Sequence, residues 1–414
     1  MPELADPARR SLGDLSPAGS RHNWARSGAA TADGRLFVGG ADGRVTAHRP
    51  DATPVDDWTG AGDPSAGDER YVVSLAATDD RLVVGERGPE GRVAALSPVS
   101  GEARWRYATA SDVGTATEES LLFQPYVVDA AVIDDTVVVA ARRYDRDGDD
   151  RTWSSVVLGF DPDGGVRWRY AARASPIALD VGDGRVVVAY NRCPAEHVYG
   201  LVVLDADSGT LLANWDPGTE GDRRVGDVAV VDDGVAVASH GDKHGYLLDF
   251  DGGERWRVDL ASERPIDGET VYAYPNHVAV ADGTAVFVTG NTYAESTRDP
   301  DARHPREHTA VAVDGGDVAW THDVGGFARG VAANGSLLAV PSAQHFRERS
   351  ADTHAVHLLD ADRGHLDSRS LPGVAAAAAL GDDALAVVEE PVEYHDEGVT
   401  RGAHRLHAWR IDGR

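Results

Sequence analysis

The chain has 414 residues, of which 42% are apolar, and 68 acidic residues outnumber 40 basic ones to give a formal net charge of -28. This charge argues against nucleic acid and anionic membranes as partners, since both would repel the protein. The single cysteine excludes an internal disulfide, and no apolar run approaches the roughly 18 residues of a membrane helix.

The acidic composition resembles that of proteins inside extreme halophiles. Arg9 and Arg10 look superficially like a twin-arginine export signal, but the polar stretch SLGDLSPAGS follows where an apolar segment is needed. We therefore predict a cytoplasmic protein suited to strong salt, where a Debye length of about 3 Å screens its self-repulsion.

One phrase recurs eight times along the chain, a turn of Asp-Gly, Asn-Gly or Asp-Asp type followed by a strand rich in Val, Leu or Ala. The first apolar residues after the eight turns are Leu36, Leu82, Val137, Val186, Val235, Ala285, Leu337 and Leu385. Their separations run from 46 to 55 residues. An internal repeat of about 50 residues therefore spans the chain.

Each repeat contains four short strands and no credible helix. The first two strands flank the tight turn, because Asp, Asn and Gly tolerate the positive φ angles of a hairpin. The alanine-rich segment 374–380 occupies a first-strand position and is too short for a stable isolated helix, so we predict a strand there as well. Four antiparallel strands per repeat are the unit of a β-propeller blade.

A second motif marks the turn between the third and fourth strands. LSPVSGEARW (96–105) and FDPDGGVRWRY (160–170) each place a Trp four residues after a turn Gly. This motif resembles the tryptophan-docking repeat of PQQ-like β-propellers, a group that includes quinoprotein alcohol dehydrogenases and a non-catalytic outer-membrane assembly factor. The blade-docking residues that the resemblance implies are Trp105, Trp168, Trp256 and Trp320. Ala213 and Ser368 stand at this position in copies four and seven, where looser docking is expected.

We predict an all-β chain that forms a single eight-bladed β-propeller of four-stranded antiparallel blades over residues 22–414, with seven blades as the alternative. In the last repeat the chain ends where the fourth strand would begin. Part of the N-terminal segment, residues 1–21, is predicted to supply that outer strand and to close the ring without a free edge.

The long, polar connections between strands two and three and between blades emerge on one face of this architecture, where function is expected. We predict that this face contacts a protein partner, because Arg and Tyr are enriched in interface cores. The predicted contact residues are Arg142, Arg143, Tyr144, Arg192, Tyr293, Phe346, Arg347 and Tyr394.

Nine of the 16 histidines also lie in the long loops between the second and third strands. A convergent set would bind a divalent metal, and unrelated loop residues are the alternative. The candidate ligands are His240, His244, His304 and His308. The segment 145–150 (DRDGDD) faintly resembles a calcium loop but lacks its Glu at position 12.

Catalytic motifs such as G-x-S-x-G, the P-loop and HExxH are absent from the sequence. By the resemblance, quinoprotein dehydrogenases hold their quinone against a vicinal disulfide, which a chain with one cysteine does not form. We therefore expect no cofactor, and PQQ is disfavoured. Whether the protein is an enzyme stays open at this point.

The leading functional hypothesis is a non-catalytic binding or scaffolding propeller that contacts a protein through its long-loop face. The alternative is a small-ligand binder or metal-dependent enzyme that uses the axial channel and the His-rich loops. A quinone-dependent dehydrogenase is a third hypothesis and would require a chromophore in the purified protein.

Overall fold

The computed structural model describes residues 4–18, 26–58, 60, 70–194, 196–219, 222–295, 297, 300–345, 347–394 and 398–411, with Asp147 described for its backbone alone. Over these ranges β-strands are the main secondary structure, joined by turns and loops. The described helices are one α-helical turn, Ala110–Val113, and two 3-10 turns, Leu121–Phe123 and Ala351–Thr353. None of the described helices has the length and apolar character needed to cross a membrane.

The strands form successive antiparallel sheets, which we number in chain order. Sheet 1 contains Gly28–Ala32, Arg35–Gly39 and Val45–His48, and sheet 2 contains Tyr71–Ala77, Leu82–Arg87, Arg92–Leu96 and Ala103–Ala108. Sheet 3 contains Tyr126–Ile133, Thr136–Asp147, Asp150–Phe160 and Val166–Ala172, and sheet 4 contains Ser175–Gly182, Arg185–Arg192, Leu201–Asp205 and Leu211–Trp215. One strand-paired residue pair, Arg87 with Tyr126, links the hydrogen-bonded ladders of sheets 2 and 3.

The second half of the chain continues the pattern. Sheet 5 contains Val225–Val231, Gly234–Ser239, His244–Asp249 and Glu254–Asp259, and sheet 6 contains Arg264–Ile266, Glu269–Ala281, Thr284–Ala294, Thr309–Asp314 and Asp317–Asp323. Sheet 7 contains Ala332–Asn334, Leu337–Ser342, Ala355–Asp360 and Gly364–Ser370. Sheet 8 contains Val374–Leu380, Ala384–Glu390 and Arg405–Arg410 together with Ala8–Ser11, and a separate small sheet pairs Val392–Glu393 with Thr400–Arg401.

The turn chemistry explains why these hairpins form where they do. At Asp183 and Gly184 the φ angles are 49° and 68°, and Asp282 and Gly283 repeat the pattern at 46° and 80°. Positive φ at both central residues defines the type I′ turn, whose twist matches that of the flanking strands. The sequence prediction of tight Asp-Gly hairpins is confirmed at these positions.

The second strand of the predicted hairpin is buried along its whole length in sheets 2 and 5, at Leu82–Arg87 and Gly234–Ser239. The first long strand of each sheet contacts its counterpart in the following sheet from sheet 1 to sheet 8, and Val374–Leu380 of sheet 8 contacts Gly28–Ala32 of sheet 1. We call this set, which starts at Gly28–Ala32 and ends at Val374–Leu380, the inner strands. The alanine-rich segment is therefore a strand, as predicted, and its small side chains suit the crowded centre.

Tryptophans join neighbouring sheets at their outer strands. Trp168 of sheet 3 is 7% exposed, and its Nε1 donates a hydrogen bond of 2.9 Å to the Ala206 carbonyl in the outer turn of sheet 4. A Cβ atom added at Gly209 would lie 2.5 Å from the Trp168 ring, so the indole packs flat on a turn that has no room for a side chain. Trp320 makes the equivalent bond to Ala361 at 2.7 Å.

The other docking positions follow this scheme with local changes. Trp105 stacks on Phe160 of sheet 3 with ring centroids 5.0 Å apart, and Trp256 lies against Gly316 of sheet 6. In copy four, Trp215 contacts Tyr246 of sheet 5 with centroids 4.9 Å apart, two residues beyond the position that Ala213 occupies. The inter-sheet contact of copy four is thus kept by a shifted tryptophan.

The two ends of the described chain meet in sheet 8. Ala8–Ser11 pairs antiparallel with Arg405–Arg410, with Ala8 opposite Ala408 and Ser11 opposite Arg405. Leu4 is fully buried in the same apolar cluster as Trp409, and Leu366 of sheet 7 packs against that cluster.

The sequence predicts residues 141–153 as one of the long polar loops between second and third strands. This prediction is wrong, because the segment is the end of a β-hairpin. Thr136–Asp147 and Asp150–Phe160 pair continuously, so that Tyr144 lies opposite Trp153. The polar sequence suggested a loop because the hairpin extends beyond the packed part of sheet 3, where exposed strand residues need not be apolar.

Candidate functional site

A cavity of about 900 Å³ lies between the inner strands, and its wall includes residues from all of them. Its charge is opposite to that of the molecule as a whole. Among the described residues that line it are seven arginines but only two carboxylates, Asp129 and Asp227. The arginines are Arg87, Arg142, Arg146, Arg151, Arg192, Arg223 and Arg329. In a chain of net charge -28, basic side chains thus collect around one cavity.

Arg87 and Arg142 flank the ring of Tyr126. Their guanidinium carbons lie 4.9 and 5.3 Å from the ring centroid, within the range of cation–π attraction. Burial, with a contribution from the neighbouring charge of Arg142, lowers the pKa of Arg87 to about 10. Burial also lowers the pKa of Arg142. Both groups are charged at neutral pH but poorly solvated, so a bound anion would stabilise them.

A second basic group contains Arg151, Arg192 and Arg223. The guanidinium of Arg223 lies 4.6 Å from the Tyr274 ring centroid, and Arg192 forms an ion pair with Asp222. Burial lowers the pKa of Arg192, as do the charges of Arg223 and Arg151 in spite of the ion pair. The carboxylates near this group therefore do not fully compensate its positive charge.

Aromatic rings complete the wall beside these arginines. Tyr144 and Trp153 are each 8% exposed, with ring centroids 5.5 Å apart, and Phe123 lies 5.2 Å from Tyr144. Tyr274 and Tyr293 lie 5.3 Å apart on sheet 6. Rigid aromatic faces beside guanidinium groups suit a ligand that combines negative charge with a flat or apolar body.

Aspartates join the inner strands of sheets 3 to 6 at the cavity. Three backbone amides donate across the sheet boundaries, namely Leu179 to Asp129 at 3.0 Å, Val230 to Asp180 at 2.8 Å and Val278 to Asp227 at 3.1 Å. Burial, with smaller contributions from the charges of Asp227 and Asp180, raises the pKa of Asp129 to about 7. These carboxyl groups link neighbouring sheets, and they offset only part of the positive charge of the cavity.

Four of the predicted partner-contact residues, Arg142, Tyr144, Arg192 and Tyr293, line this cavity. The sequence predicted that these residues belong to exposed loops. That is wrong for Arg142 and Tyr144, which lie with Arg143 on the strand Thr136–Asp147. Tyr144 is buried because it packs between Trp153 and Phe123.

The remaining partner candidates lie elsewhere. Arg143 forms an ion pair of 2.7 Å with Asp145. Tyr394 is 3% exposed and hydrogen-bonds to His354, so the expectation of an exposed contact is wrong for this side chain. Arg347 is half-buried, and Phe346 falls outside the described residues.

Sequence reasoning missed Arg87, Tyr126, Arg223 and Tyr274, which carry much of the cavity's character. They lie on or next to strands rather than in the long loops where functional residues were expected. The available signal was an Arg or Tyr at the end of an otherwise apolar strand in several copies of the repeat. Such residues reach the cavity because strand ends converge at the mouth of a propeller.

The four histidines predicted as metal ligands do not come together. His240 lines the cavity, where burial and the charge of Arg223 lower its pKa to about 3 and keep it neutral. His244 and His304 belong to no cluster of three potential ligands within the part of the chain that the structure describes.

His308 does belong to such a cluster, with Glu307 and His345. Its Nε2 lies 2.9 Å from Asn291 Oδ1, and the Thr292 amide donates to Glu307 Oε1 at 3.0 Å. His308 Nε2 and Glu307 Oε1 thus already have protein partners.

Two other sequence hypotheses concern metal and cofactor chemistry. Residues 145–150, which faintly resemble a calcium loop, form the tip of the extended hairpin of sheet 3. Cys193 is 5% exposed, and burial raises the pKa of its thiol to about 12. A lone buried thiol does not fit the vicinal disulfide that the resemblance implies for a quinone site.

Comparisons with known proteins agree with this architecture. A family model described as outer membrane protein assembly factor BamB matches residues 23–187. No curated protein matches the chain. The crystal structure of BamB from Moraxella catarrhalis is 14% identical, with a TM-score of 0.55 and 98% of each chain covered.

Two further solved structures have the same fold. Quinohemoprotein alcohol dehydrogenase from Comamonas testosteroni is 12% identical with a TM-score of 0.59, covering 94% of this chain and 76% of that one. The WD40 repeats of RRP9 are 12% identical with a TM-score of 0.52, covering 99% of both chains. Together with the family match, these likenesses support a PQQ-like β-propeller and speak for the fold alone.

Proposed function

We propose that the protein is a closed eight-bladed β-propeller that binds an anionic small molecule in its axial cavity. Residues 22–414 would form the blades, and part of residues 1–21 would complete the last one. The ring is supported by the contact between the inner strands of sheets 8 and 1 and by the pairing of Ala8–Ser11 with Arg405–Arg410. The proposal includes no catalytic step and no quinone cofactor.

The observation that carries the proposal is the excess of seven arginines over two carboxylates in the cavity wall of an acidic protein. Buried guanidinium groups are costly unless an anion compensates them, and their fork geometry suits carboxylate or phosphate oxygens. A ligand that bears at least two such groups would engage both the Arg87–Arg142 side and the Arg151–Arg192–Arg223 side.

The size of the cavity favours a small molecule over a larger partner. About 900 Å³ falls within the roughly 300–1,000 Å³ of known ligand pockets. In strong salt the Debye length is about 3 Å, so long-range attraction is screened and affinity has to come from direct hydrogen bonds between guanidinium and anion. Binding should therefore persist in molar KCl.

A test uses pyranine, a fluorescent trisulfonate, as the probe, with citrate and pyrophosphate as competitors, all in molar KCl. We expect the wild-type protein to bind the dye and the competitors to displace it. Arg223→Gln and Arg151→Gln should each weaken binding about ten- to a hundredfold, because each removes a charge-assisted hydrogen bond worth about 1.5–3 kcal/mol. Fluorescence polarisation measures this directly.

Arg257→Gln is the matched control, since Arg257 lies on the outer strand of sheet 5 with its side chain 62% exposed. Its dye affinity should equal that of the wild type. Equal affinity in all four proteins, or no binding at all, would contradict an anion site in the cavity.

A protein partner on the same face is the second candidate, favoured by the fold likeness to an assembly factor and to WD40 repeats. This second candidate predicts that another protein is recovered in stoichiometric amount when the tagged chain is purified from its own cells in multimolar KCl. If Arg151→Gln and Arg223→Gln lose that protein and the wild type does not bind the dye, the ligand of the cavity is an acidic protein segment and not a small molecule.

A further inference from the structure

Three histidines meet at the boundary between sheets 6 and 7, on the outer part of the molecule. His322 lies on Asp317–Asp323, and His357 and His365 lie on the paired strands Ala355–Asp360 and Gly364–Ser370. Their potential ligand atoms all lie within 4.8 Å of one another. His322 Nε2 and His357 Nδ1 are 3.1 Å apart, and the His365 ring stacks on that of His322 with centroids 4.3 Å apart.

The fold holds this group in place through the docking tryptophan. Side chains two residues apart on a strand share a face, so His322 faces sheet 7 together with Trp320. Trp320 is fixed by its hydrogen bond to the Ala361 carbonyl and by its contact with Gly364, the residue before His365. The same contact that docks sheet 6 on sheet 7 therefore brings the three imidazoles together.

The residue next to the group also departs from the repeat. Ser368 stands where other copies carry the docking tryptophan, and it lies directly opposite His357. Its Oγ is 2.9 Å from His357 Nδ1 and 2.8 Å from His365 Nε2. Ser368 therefore places a small polar hydroxyl beside two imidazole nitrogens, where a tryptophan would place a far larger apolar ring.

The donor set suits a transition metal. Each of the three imidazoles can offer one ring nitrogen to an ion. Zinc–nitrogen bonds of about 2.0–2.1 Å in tetrahedral geometry put ligand nitrogens about 3.3–3.4 Å apart, close to the observed 3.1 Å. Three imidazoles without a carboxylate favour zinc, cobalt, nickel or copper over calcium or magnesium.

We propose that His322, His357 and His365 bind a divalent transition-metal ion such as Zn²⁺, which ties sheet 6 to sheet 7. The fourth coordination position faces the Ser368 hydroxyl and takes a water molecule. This site lies apart from the arginine-lined cavity, and none of its three ligands lines that cavity. It does not depend on the proposed anion binding.

Cobalt is the probe for the test, because tetrahedral Co²⁺ absorbs visible light strongly and replaces Zn²⁺ at such sites. The full chain is stripped with EDTA in molar KCl and titrated with Co²⁺, and then with Zn²⁺ to displace it. We expect a tetrahedral absorption band that saturates at one equivalent. Zn²⁺ should also raise the thermal midpoint by a few degrees, since a ligand that binds the folded state stabilises it.

His365→Gln and His322→Gln should both remove the cobalt band, and His365 is exposed, so its replacement leaves the fold intact. His244→Gln is the control, as a half-buried histidine outside the group, and should keep the band. Absence of a tetrahedral band in the wild type would overturn the proposal. So would a band that survives in both variants, which would place the ion at another site such as Glu307, His308 and His345.

Discussion

Asp129 illustrates how the cavity wall sets the behaviour of a single residue. Its carboxylate accepts hydrogen bonds from the amides of Ala130 and Leu179, which favour the charged form, yet burial outweighs them and raises its pKa to about 7. Asp180 and Asp227 add to the increase because they are acidic groups on the neighbouring inner strands. The folded protein therefore holds a proton on Asp129 that the unfolded chain releases near pH 4.

This difference makes stability depend on pH. Between about pH 4 and pH 7 the folded state binds more protons at Asp129 than the unfolded state does, so stability is greatest at the acidic end and falls as pH rises. Asp129→Asn should reduce this slope by up to about 1.4 kcal/mol per pH unit. Denaturant unfolding at several pH values and constant KCl measures it.

Asp207→Asn, a replacement in the exposed outer turn of sheet 4, is the control and should leave the slope unchanged. The amides of Ala130 and Leu179 donate to different oxygens of Asp129, and asparagine has only one side-chain oxygen, so Asp129→Asn also changes the absolute stability. The comparison is therefore between the slopes of stability against pH. An Asp129→Asn protein with the wild-type slope would show that water in the cavity keeps this carboxyl group at its ordinary pKa.

At the scale of the element, the tryptophan contacts join one sheet to the next. Substitutions at two glycines distinguish the free-energy cost of backbone strain from the cost of blocking such a contact. Gly209 and Gly184 both belong to sheet 4 and have φ angles of 67° and 68°. A Cβ at Gly209 would lie 2.5 Å from the Trp168 ring, whereas a Cβ at Gly184 would have no atom within 4 Å.

Gly209→Ala and Gly184→Ala should therefore share the same cost of a positive φ, roughly 1 kcal/mol. Gly209→Ala should lose a further 1–3 kcal/mol or so, because the methyl group displaces the indole from the turn. The difference between the two free energies of unfolding, from denaturant titration, measures the docking contact. Equal losses in the two variants would mean that the tryptophan contact contributes little to stability.

The sequence predicted these elements because their causes are local. Asp-Gly turns, Val-rich second strands and the Trp four residues after a Gly each lie within about ten residues. The hairpin 141–153 was not predicted, because strand pairing beyond the packed sheet depends on the partner strand and not on apolar alternation. Arg87 and Arg223 line one cavity although they belong to sheets 2 and 5, and no pattern within one repeat predicts that arrangement.

At the scale of the whole molecule, charge is divided between two regions. The chain as a whole has a net charge of -28, whereas the described wall of the cavity carries seven arginines and two carboxylates. Like charges around the rim repel one another and oppose the compact state, and this repulsion acts on every sheet boundary at once. Salt should therefore control the fold as a unit more than any single contact does.

We expect the protein to keep its β-structure in multimolar KCl and to lose it in dilute buffer. The Debye length is about 30 Å at 0.01 M ionic strength, so surface carboxylates repel one another in dilute buffer, while at 1 M it falls to about 3 Å and the repulsion is screened. Circular dichroism during stepwise dialysis from multimolar KCl measures the loss, and return to KCl should restore the spectrum. A spectrum unchanged down to dilute buffer would show that packing of the inner strands and the tryptophans outweighs the repulsion, and that the acidic surface has another role.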